Sequence, residues 1–208
     1  MGGQKDQHLP PFFIAMTAGR YSKKVIIFSA PSGSGKTTIV QHLLKKFPQL
    51  KFSISATTRP IRGQEINGID YHFLTVEEFG SKISNDEFIE WEEVYNDRYY
   101  GTLKSELDRI WNTGDIVVFD VDVKGGVNIK KLLGNKALAI FVMPPSIEEL
   151  RRRLECRNTD CSEDIEARIQ LAEKEMIYSK YFDTIIVNDR LEYAIKEAEQ
   201  LIADWLKR

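Results

Sequence analysis

The chain has 208 residues, of which 42% are hydrophobic, and a formal net charge of -2 with a sequence pI of about 6.0. This length and apolar fraction suffice for one compact core with small appended subdomains. The nearly balanced charge argues against an extended nucleic-acid surface, which needs clustered lysine and arginine. No apolar run approaches the roughly 18 residues of a membrane span, so we expect neither a nucleic-acid partner nor a membrane.

Residues 1–20 are polar at first and then rich in proline and aromatic side chains. The segment is too short and too interrupted for the apolar part of a secretory signal. We interpret it as a disordered leader, or as the result of a mis-assigned start with Met16 as the alternative initiator. In the absence of an address signal, the cytoplasm is the expected compartment.

The stretch from Ala30 to Thr37 reads Ala-Pro-Ser-Gly-Ser-Gly-Lys-Thr and has the pattern of a phosphate-binding loop. An apolar run before it predicts a buried strand, and apolar residues at helical spacing in 38–46 predict a helix after it. Strand, glycine-rich turn and helix are the context in which backbone N–H groups face an anion. The alternative is an ordinary glycine-rich turn with a surface lysine.

Ala30 stands where the usual pattern has glycine, which is the smallest possible departure, whereas Gly33 and Gly35 remain where the backbone must open toward phosphate. Lys36 would add a positive charge on the outer phosphates of a nucleotide, and the Thr37 hydroxyl would bind Mg²⁺. The residues predicted to bind the donor nucleotide here are Ala30, Pro31, Ser32, Gly33, Ser34, Gly35, Lys36, Thr37 and Thr38.

Helical patterns alternate with apolar runs along most of the chain. Strands are predicted from these runs at 25–30, 52–56, 115–121, 137–143 and 184–188. Such alternation predicts an α/β fold, with a parallel sheet flanked by helices on both faces. Sheets of this kind bind ligands at the carboxyl ends of their strands.

Two segments interrupt the alternation. Residues 54–102 are rich in threonine, arginine, glycine and tyrosine, and we predict an inserted subdomain there. Residues 147–181 predict two charged helices, at 147–157 and 163–181. The last segment, 191–206, has a single apolar stripe and predicts an amphipathic helix that packs on the core.

The apolar strand predicted from Asp115 onward ends in two acids of equal side-chain parity, Asp120 and Asp122, which therefore point to one face of the sheet. In phosphate-loop enzymes an acid at such a strand end often meets Mg²⁺, directly or through water. Asp120 is accordingly a metal-binding candidate. The alternative for Asp120 is a structural acid that orients the phosphate loop.

Arg59 and Arg62 lie three residues apart in a segment rich in threonine and glycine, and arginine supplies the forked donors that a phosphate dianion accepts. Polar and aromatic residues follow in the stretches 67–71, 88–91 and 99–102. Each stretch has a plain alternative: a solvated loop pair for the arginines, a surface acid for Glu90, and a core aromatic for Tyr99.

Taken in this order after a phosphate loop, these stretches resemble guanylate kinase, from about residue 24 to the C-terminal helix. The resemblance implies the reaction ATP + GMP ⇌ ADP + GDP and a P-loop kinase core. It implies an inserted GMP-binding subdomain at 54–102 and a helical lid at 147–181. The implied domain is 21–208, with core segments at 21–53, 103–146 and 182–208.

The resemblance also implies roles for single residues. Acceptor-phosphate roles fall on Ser55, Arg59, Arg62, Tyr71 and Tyr100, and guanine roles on Glu90, Thr102 and Asp122. The lid and hinge arginines correspond to Arg153, Arg157 and Arg168, and the pair beside adenine to Asn188 and Asp189. Carboxylates are acceptors only, so they suit the adjacent N–H donors of guanine and oppose the N1 acceptor of adenine.

The expected mechanism is direct in-line transfer of the γ-phosphoryl from MgATP to GMP, without a covalent intermediate. Positioning and charge neutralisation would fall to the catalytic residues Lys36, Arg59, Arg153, Arg157 and Arg168. dGMP is a further expected acceptor, and monomer and homodimer both remain open. The alternatives are a non-catalytic phosphopeptide-binding module of guanylate-kinase type and a kinase for another nucleoside monophosphate.

Overall fold

A computed structural model describes residues 24–95, 97–156 and 162–207. The described elements are, in chain order, β1 (Val25–Ser29), α1 (Lys36–Lys46), β2 (Leu50–Phe52), β3 (Ala56–Thr57), β4 (His72–Phe73), α2 (Val76–Ser84), β5 (Phe88–Tyr95), β6 (Arg98–Leu103), α3 (Lys104–Asn112), β7 (Ile116–Asp120), α4 (Val123–Leu133), β8 (Ala137–Met143), α5 (Ile147–Glu155), α6 (Ser162–Met176), β9 (Thr184–Val187) and α7 (Leu191–Leu206). Short 3₁₀ turns cover Gly134–Lys136 and Ile177–Tyr181.

The central sheet confirms the predicted α/β fold. Its five strands lie in the order β2-β7-β1-β8-β9, and every neighbouring pair is parallel. In the β1–β7 pair, Phe28 lies opposite Asp120. Parallel pairing therefore brings the carboxyl ends of β1 and β7 to one edge, where the phosphate loop and the two predicted acids meet.

Two apolar cores cover the two faces of this sheet. Alternate residues of β1 point to opposite faces, so Ile26 and Phe28 pack with α1 and α7. Val25 and Ile27 pack with α3 and α4 on the other face. The predicted terminal helix is confirmed as α7, which buries Ala194, Ala198, Ile202 and Trp205.

A smaller sheet lies between β2 and α3 in the chain. Its strands have the order β4-β3-β6-β5, with β3 parallel to β4 and antiparallel to β6. Helix α2 covers it through Phe79, which is fully buried and packs with Ala56, Phe88 and Leu103. Its strands carry three of the eight residues predicted for the acceptor, and four more lie in the adjoining loops.

The predicted strand at 52–56 is wrong, because β2 ends at Phe52 and the chain then changes sheets. The Ser53 N–H still donates to the Val118 carbonyl, at 2.9 Å. The Ile54 N–H instead donates to the Glu106 carboxylate, at 3.0 Å, and the chain enters the second sheet at Ala56. A side-chain acceptor from a distant helix thus ends a strand that the local sequence continues.

The two charged helices predicted near 147–181 are present with different ends. Helix α5 ends at Glu155, and α6 gives way at Met176 to the 3₁₀ turn Ile177–Tyr181. The pair has its own apolar contact, made by Leu150, Leu154 and residues of α6. No helix in the described ranges is long and apolar enough to cross a membrane.

Phe79→Ala tests whether the second sheet depends on α2. The Phe79 ring stacks on Phe88 at 4.4 Å and on Tyr99 at 5.4 Å between centroids. Removing it leaves a cavity, so we expect the free energy of unfolding to fall by about 3–5 kcal/mol in urea titrations. Val76→Ala on the exposed side of the same helix should change it by less than about 1 kcal/mol. Equal effects of the two substitutions would contradict the packing argument.

Candidate active site

The loop between β1 and α1 has the backbone geometry of an anion site. Gly33 and Gly35 adopt positive φ angles of 92° and 87°, a region that residues with a Cβ rarely enter. The Asn188 side chain, at the end of β9, donates to the Ser34 carbonyl at 2.7 Å. A Cβ on Gly35 would lie 2.3 Å from Asn188 Nδ2. Asn188 therefore lies beneath the loop and holds it at the first turn of α1.

Lys36 and Asp120 form an ion pair at the carboxyl end of β7. Lys36 Nζ also donates to the Val121 carbonyl, at 2.9 Å. Both contacts hold the ammonium group at the end of β7. The contact with Lys36 matches the interpretation of Asp120 as an acid that orients the loop, and metal binding by Asp120 and Thr37 stays a prediction.

Arg59 is buried and forms an ion pair with Glu65, a residue to which the sequence analysis assigned no role. Two hydrogen bonds of 2.7 and 2.6 Å join the guanidinium to the Glu65 carboxylate. The guanidinium also stacks on Tyr71, at 4.7 Å from the ring centroid. The hydrogen bond with Arg59 lowers the pKa of Glu65 to about 2. Arg62 is exposed and meets Glu65 through its backbone N–H.

Ser55, Tyr71 and Tyr100 face one cavity from the second sheet. The rings of Tyr71 and Tyr100 lie 6.2 Å apart at a steep angle. Because Arg59 stacks on Tyr71, Arg59 joins these three side chains in one group beside the cavity. The structure thus brings together the hydroxyls and one of the two arginines predicted for the acceptor phosphate.

Glu90, Thr102 and Asp122 meet although they come from three elements. The Thr102 hydroxyl donates to Glu90 Oε1 at 2.8 Å. Asp122 begins α4, and its Oδ1 accepts the Gly125 N–H at 2.7 Å. A Cβ on Gly125 would lie 2.7 Å from Asp122 Oδ1 and 3.0 Å from Glu90 Oε2. Glycine at this position therefore lets the two carboxyl groups share the N-terminus of α4.

Burial controls the ionisation of this group. It raises the pKa of Glu90 to about 7, against the hydrogen bond from Thr102. It also raises the pKa of Asp122, and the neighbouring Glu92 carboxyl raises it further. Both acids are thus ready to gain hydrogen-bond donors from a ligand, because such donors stabilise the carboxylate form.

Two further acids line the same cavity and were missed in the sequence, Glu92 on β5 and Glu175 near the end of α6. Burial favours the neutral form of Glu92, but its interactions with Asp122 and Lys124 hold its pKa below the usual range. Burial raises the pKa of Glu175 to about 7. Glu92 could have been suspected, since it has the same strand parity as Glu90; nothing local marks Glu175.

Two of the three predicted lid and hinge arginines lie among the described residues, and one of them contacts the phosphate loop. Arg153 donates to Glu149 at 2.7 Å and to the Asp189 carbonyl at 3.2 Å. Arg168, from α6, donates to the Ser32 hydroxyl in the phosphate loop at 3.3 Å. Arg157 lies outside the described residues, as do residues 1–20.

One cavity of about 540 Å³ joins the two groups. The phosphate loop and Lys36 line it from the central sheet, and Tyr71, Tyr100 and Glu90 line it from the second sheet and its loops. A space of this size, lined by an anion site and by buried acids, suits a pair of small polar ligands. Fold and cavity together define a P-loop α/β protein that binds phosphorylated ligands.

Comparison with known proteins identifies the family. The family model described as guanylate kinase matches residues 22–205. The chain is 57% identical over 185 residues to a guanylate kinase of Bacteroides thetaiotaomicron, covering 89% of this chain and 91% of the relative. It is 52% identical over 186 residues to a guanylate kinase of Porphyromonas gingivalis, covering 89% and 99%. The crystal structure of guanylate kinase from Anaplasma phagocytophilum superposes with a TM-score of 0.70 at 29% identity, covering 88% of this chain and 85% of that one. The chain belongs to the guanylate kinase family.

The pH dependence of stability tests the burial of Glu90. Its carboxyl has a pKa of about 7 in the folded chain and 4.5 as the ordinary value. The unfolded chain therefore loses this proton at lower pH than the folded chain, and stability falls as pH rises from about 4.5 to about 7.

Removing the ionisable group should remove this fall. Between pH 5 and pH 8 we expect wild type to lose about 2–3 kcal/mol more unfolding free energy than Glu90→Gln, measured by urea titration. Glu93→Gln, an exposed acid of the same strand, should follow the wild-type profile. Superimposable profiles of wild type and Glu90→Gln would contradict the assignment.

Proposed function

We propose that this chain transfers the γ-phosphoryl group of ATP to GMP, giving ADP and GDP. The observation that carries the proposal is one shared cavity, lined both by a phosphate loop and by the buried carboxyl groups of Glu90 and Asp122. Membership of the guanylate kinase family supports the same reaction. We assign the reaction to the cytoplasm.

The donor site is proposed to consist of the loop from Ala30 to Gly35 with Lys36, Thr37 and Thr38. Backbone N–H groups at the start of α1 would hold the ATP phosphates, since a helix N-terminus favours negative charge. Asn188 and Asp189 are proposed to lie beside the adenine. The Asn188 contact with Ser34 supports this in one respect, because it places the end of β9 next to the loop.

The residues at the loop fit a magnesium ion bound with ATP. Mg²⁺ is usually held by one or two protein oxygens and the substrate phosphates, so it needs no cluster of protein ligands. Among the described residues no group of three or more His, Cys, Asp or Glu could hold a metal. We propose the Thr37 hydroxyl and the Asp120 carboxylate as its protein contacts. The ion would neutralise charge on the transferred phosphoryl group.

The acceptor phosphate is proposed to bind Ser55, Arg59, Arg62, Tyr71 and Tyr100. Arg59 already has a fixed geometry, because Glu65 holds both of its terminal nitrogens and Tyr71 covers its plane. The guanine would bind Glu90, Thr102 and Asp122. The carboxylates of Glu90 and Asp122 would accept from its N1–H and N2–H₂. Adenine has an acceptor at N1, so the pocket would leave buried carboxylates unpaired and reject it.

Transfer needs no general base, because the acceptor oxygen of GMP is already an anion. Catalysis then depends on holding the two phosphates in line and on neutralising their charge. Lys36, Arg59, Arg153, Arg157 and Arg168 are the proposed cations. The Arg168 contact with Ser32 supports a role for α6 in covering the donor phosphates. We propose dGMP as a further acceptor.

Lys36→Ala should leave the fold intact and reduce turnover with ATP and GMP by about 10³-fold or more, because it removes a charge from the transferred group. A coupled assay for ADP measures turnover, and a thermal unfolding curve checks the fold. Lys45→Ala, at the exposed far end of the same helix, is the matched control and should keep turnover within about twofold of wild type. Full activity in folded Lys36→Ala would refute the proposed loop role.

Glu90→Gln should weaken selectivity for guanine more than binding of ATP. The amide keeps one acceptor but presents a donor to the guanine donors, so we expect kcat/KM for GMP to fall by about 10²-fold. The preference for GMP over AMP should shrink, and KM for ATP should change little. An acceptor screen over AMP, CMP, UMP, dTMP and GMP gives both readings. An unchanged acceptor profile would remove Glu90 from the base pocket.

A further inference from the structure

Glu92 is a cavity-lining carboxylate to which the proposed reaction gives no role. Its Oε1 accepts a hydrogen bond from Lys124 Nζ at 2.6 Å. Its Oε2 is buried and receives no hydrogen bond from an N–H or hydroxyl group in the described residues. The Asp122 carboxyl lies beside Glu92, and burial together with a hydrogen bond to Glu92 raises the pKa of Asp122, so that Asp122 donates to Glu92 while it is protonated. When the N–H donors of guanine ionise Asp122, as in the proposed function, Glu92 loses that donor, and a ligand in the cavity can supply another.

The strand register gives the position of Glu92 along the cavity. Glu90 lies opposite Thr102 in the β5–β6 pair, and Glu92 lies opposite Tyr100. Residues two apart on a strand share a face and are separated by about 7 Å. Glu92 thus lies between the proposed guanine contacts and the proposed phosphate contacts. It is opposite Tyr100 on the neighbouring strand. In a nucleotide, the sugar occupies this interval between base and phosphate.

The chemistry of the carboxylate narrows the group that it can meet. A phosphate dianion next to Glu92 would be repelled, and Lys124 offsets only part of that charge because it is already paired with Oε1. The N–H donors of guanine are matched by Glu90 and Asp122 in the proposed function. The hydroxyl groups of the sugar are the donors that remain.

We propose that Glu92 accepts a hydrogen bond from a sugar hydroxyl of the acceptor nucleotide and so determines which sugars the enzyme prefers. Lys124 is a positioning residue, since its ion pair fixes the Glu92 side chain and keeps it charged. The inference rests on the proposed function, because the guanine and phosphate contacts define where the sugar lies. dGMP remains a substrate, with a lower kcat/KM if the 2′-hydroxyl is the partner.

The test compares GMP with its 2′-deoxy and 3′-deoxy analogues in wild type and in Glu92→Ala, using the full chain. Hydrogen bonds to a charged group are the strong ones, so wild type should prefer GMP over one of the analogues by about tenfold or more in kcat/KM. In Glu92→Ala that ratio should fall to within about twofold of one, mainly through KM for GMP. Glu93→Ala, on the exposed face of the same strand, should keep the wild-type ratio.

Two measurements keep the outcome decisive. If Glu92→Ala does not fold, the ratios are taken on Glu92→Gln, which keeps the side-chain volume and should lower the preference at least threefold. Inosine monophosphate, which lacks the 2-amino group, is a further acceptor in the same assay. A Glu92 substitution that changes the ratio of GMP to inosine monophosphate and leaves both deoxy ratios unchanged would overturn the sugar contact. Absence of GMP turnover in wild type would instead overturn the proposed function.

Discussion

The parallel pairing of β1 with β7 is the constraint on which the rest of the site depends. It sets Phe28 opposite Asp120, so the phosphate loop and the acids at the end of β7 lie at the same edge of the sheet. The Ser29 hydroxyl then donates to the Asp122 carbonyl at 3.0 Å, and Lys36 donates to the Val121 carbonyl. A Cβ on Gly126 would lie 2.3 Å from Ser29 Oγ, so α4 approaches β1 as closely as a glycine allows. The phosphate loop and the group formed by Glu90, Thr102 and Asp122 are joined through these few contacts.

The cavity concentrates more negative charge than the protein neutralises. Glu90, Glu92, Asp122 and Glu175 line it, and burial raises the pKa of three of them. Lys124 is paired with Glu92, whereas Glu90 and Asp122 each have one uncharged protein donor, the Thr102 hydroxyl and the Gly125 N–H, and can accept more from a ligand. Burial of unpaired carboxyl groups costs stability, and a ligand with N–H donors recovers that cost. Burial of the carboxyl groups thus lowers the stability of the site and, under the proposed function, also makes it selective for such a ligand.

The phosphate end is arranged differently, because its arginine is preorganised by the protein. Arg59 is held by the Glu65 carboxylate and covered by Tyr71, so its orientation does not depend on a bound anion. Arg168 reaches the loop from α6 and couples the helical segment to the donor side. Under the proposed function, Arg59 is a fixed cation for the acceptor and Arg168 is a cation on α6 for the donor, which suits a reaction in which the α5–α6 segment covers the substrates.

Local patterns in the amino-acid sequence determined the phosphate loop, the order of strands and helices and the terminal helix, because each depends on residues adjacent in the chain. The acids at the end of β7 could also be predicted from the local sequence, since strand parity and position are sequence properties. The break between β2 and β3 could not, because its cause is the Glu106 carboxylate fifty-two residues away. Only the tertiary structure decided that Asn188 supports the loop, that Glu65 holds Arg59, and that Glu92 and Glu175 face the cavity. These are contacts between distant segments, and they are set by sheet order and helix packing, which no local spacing encodes.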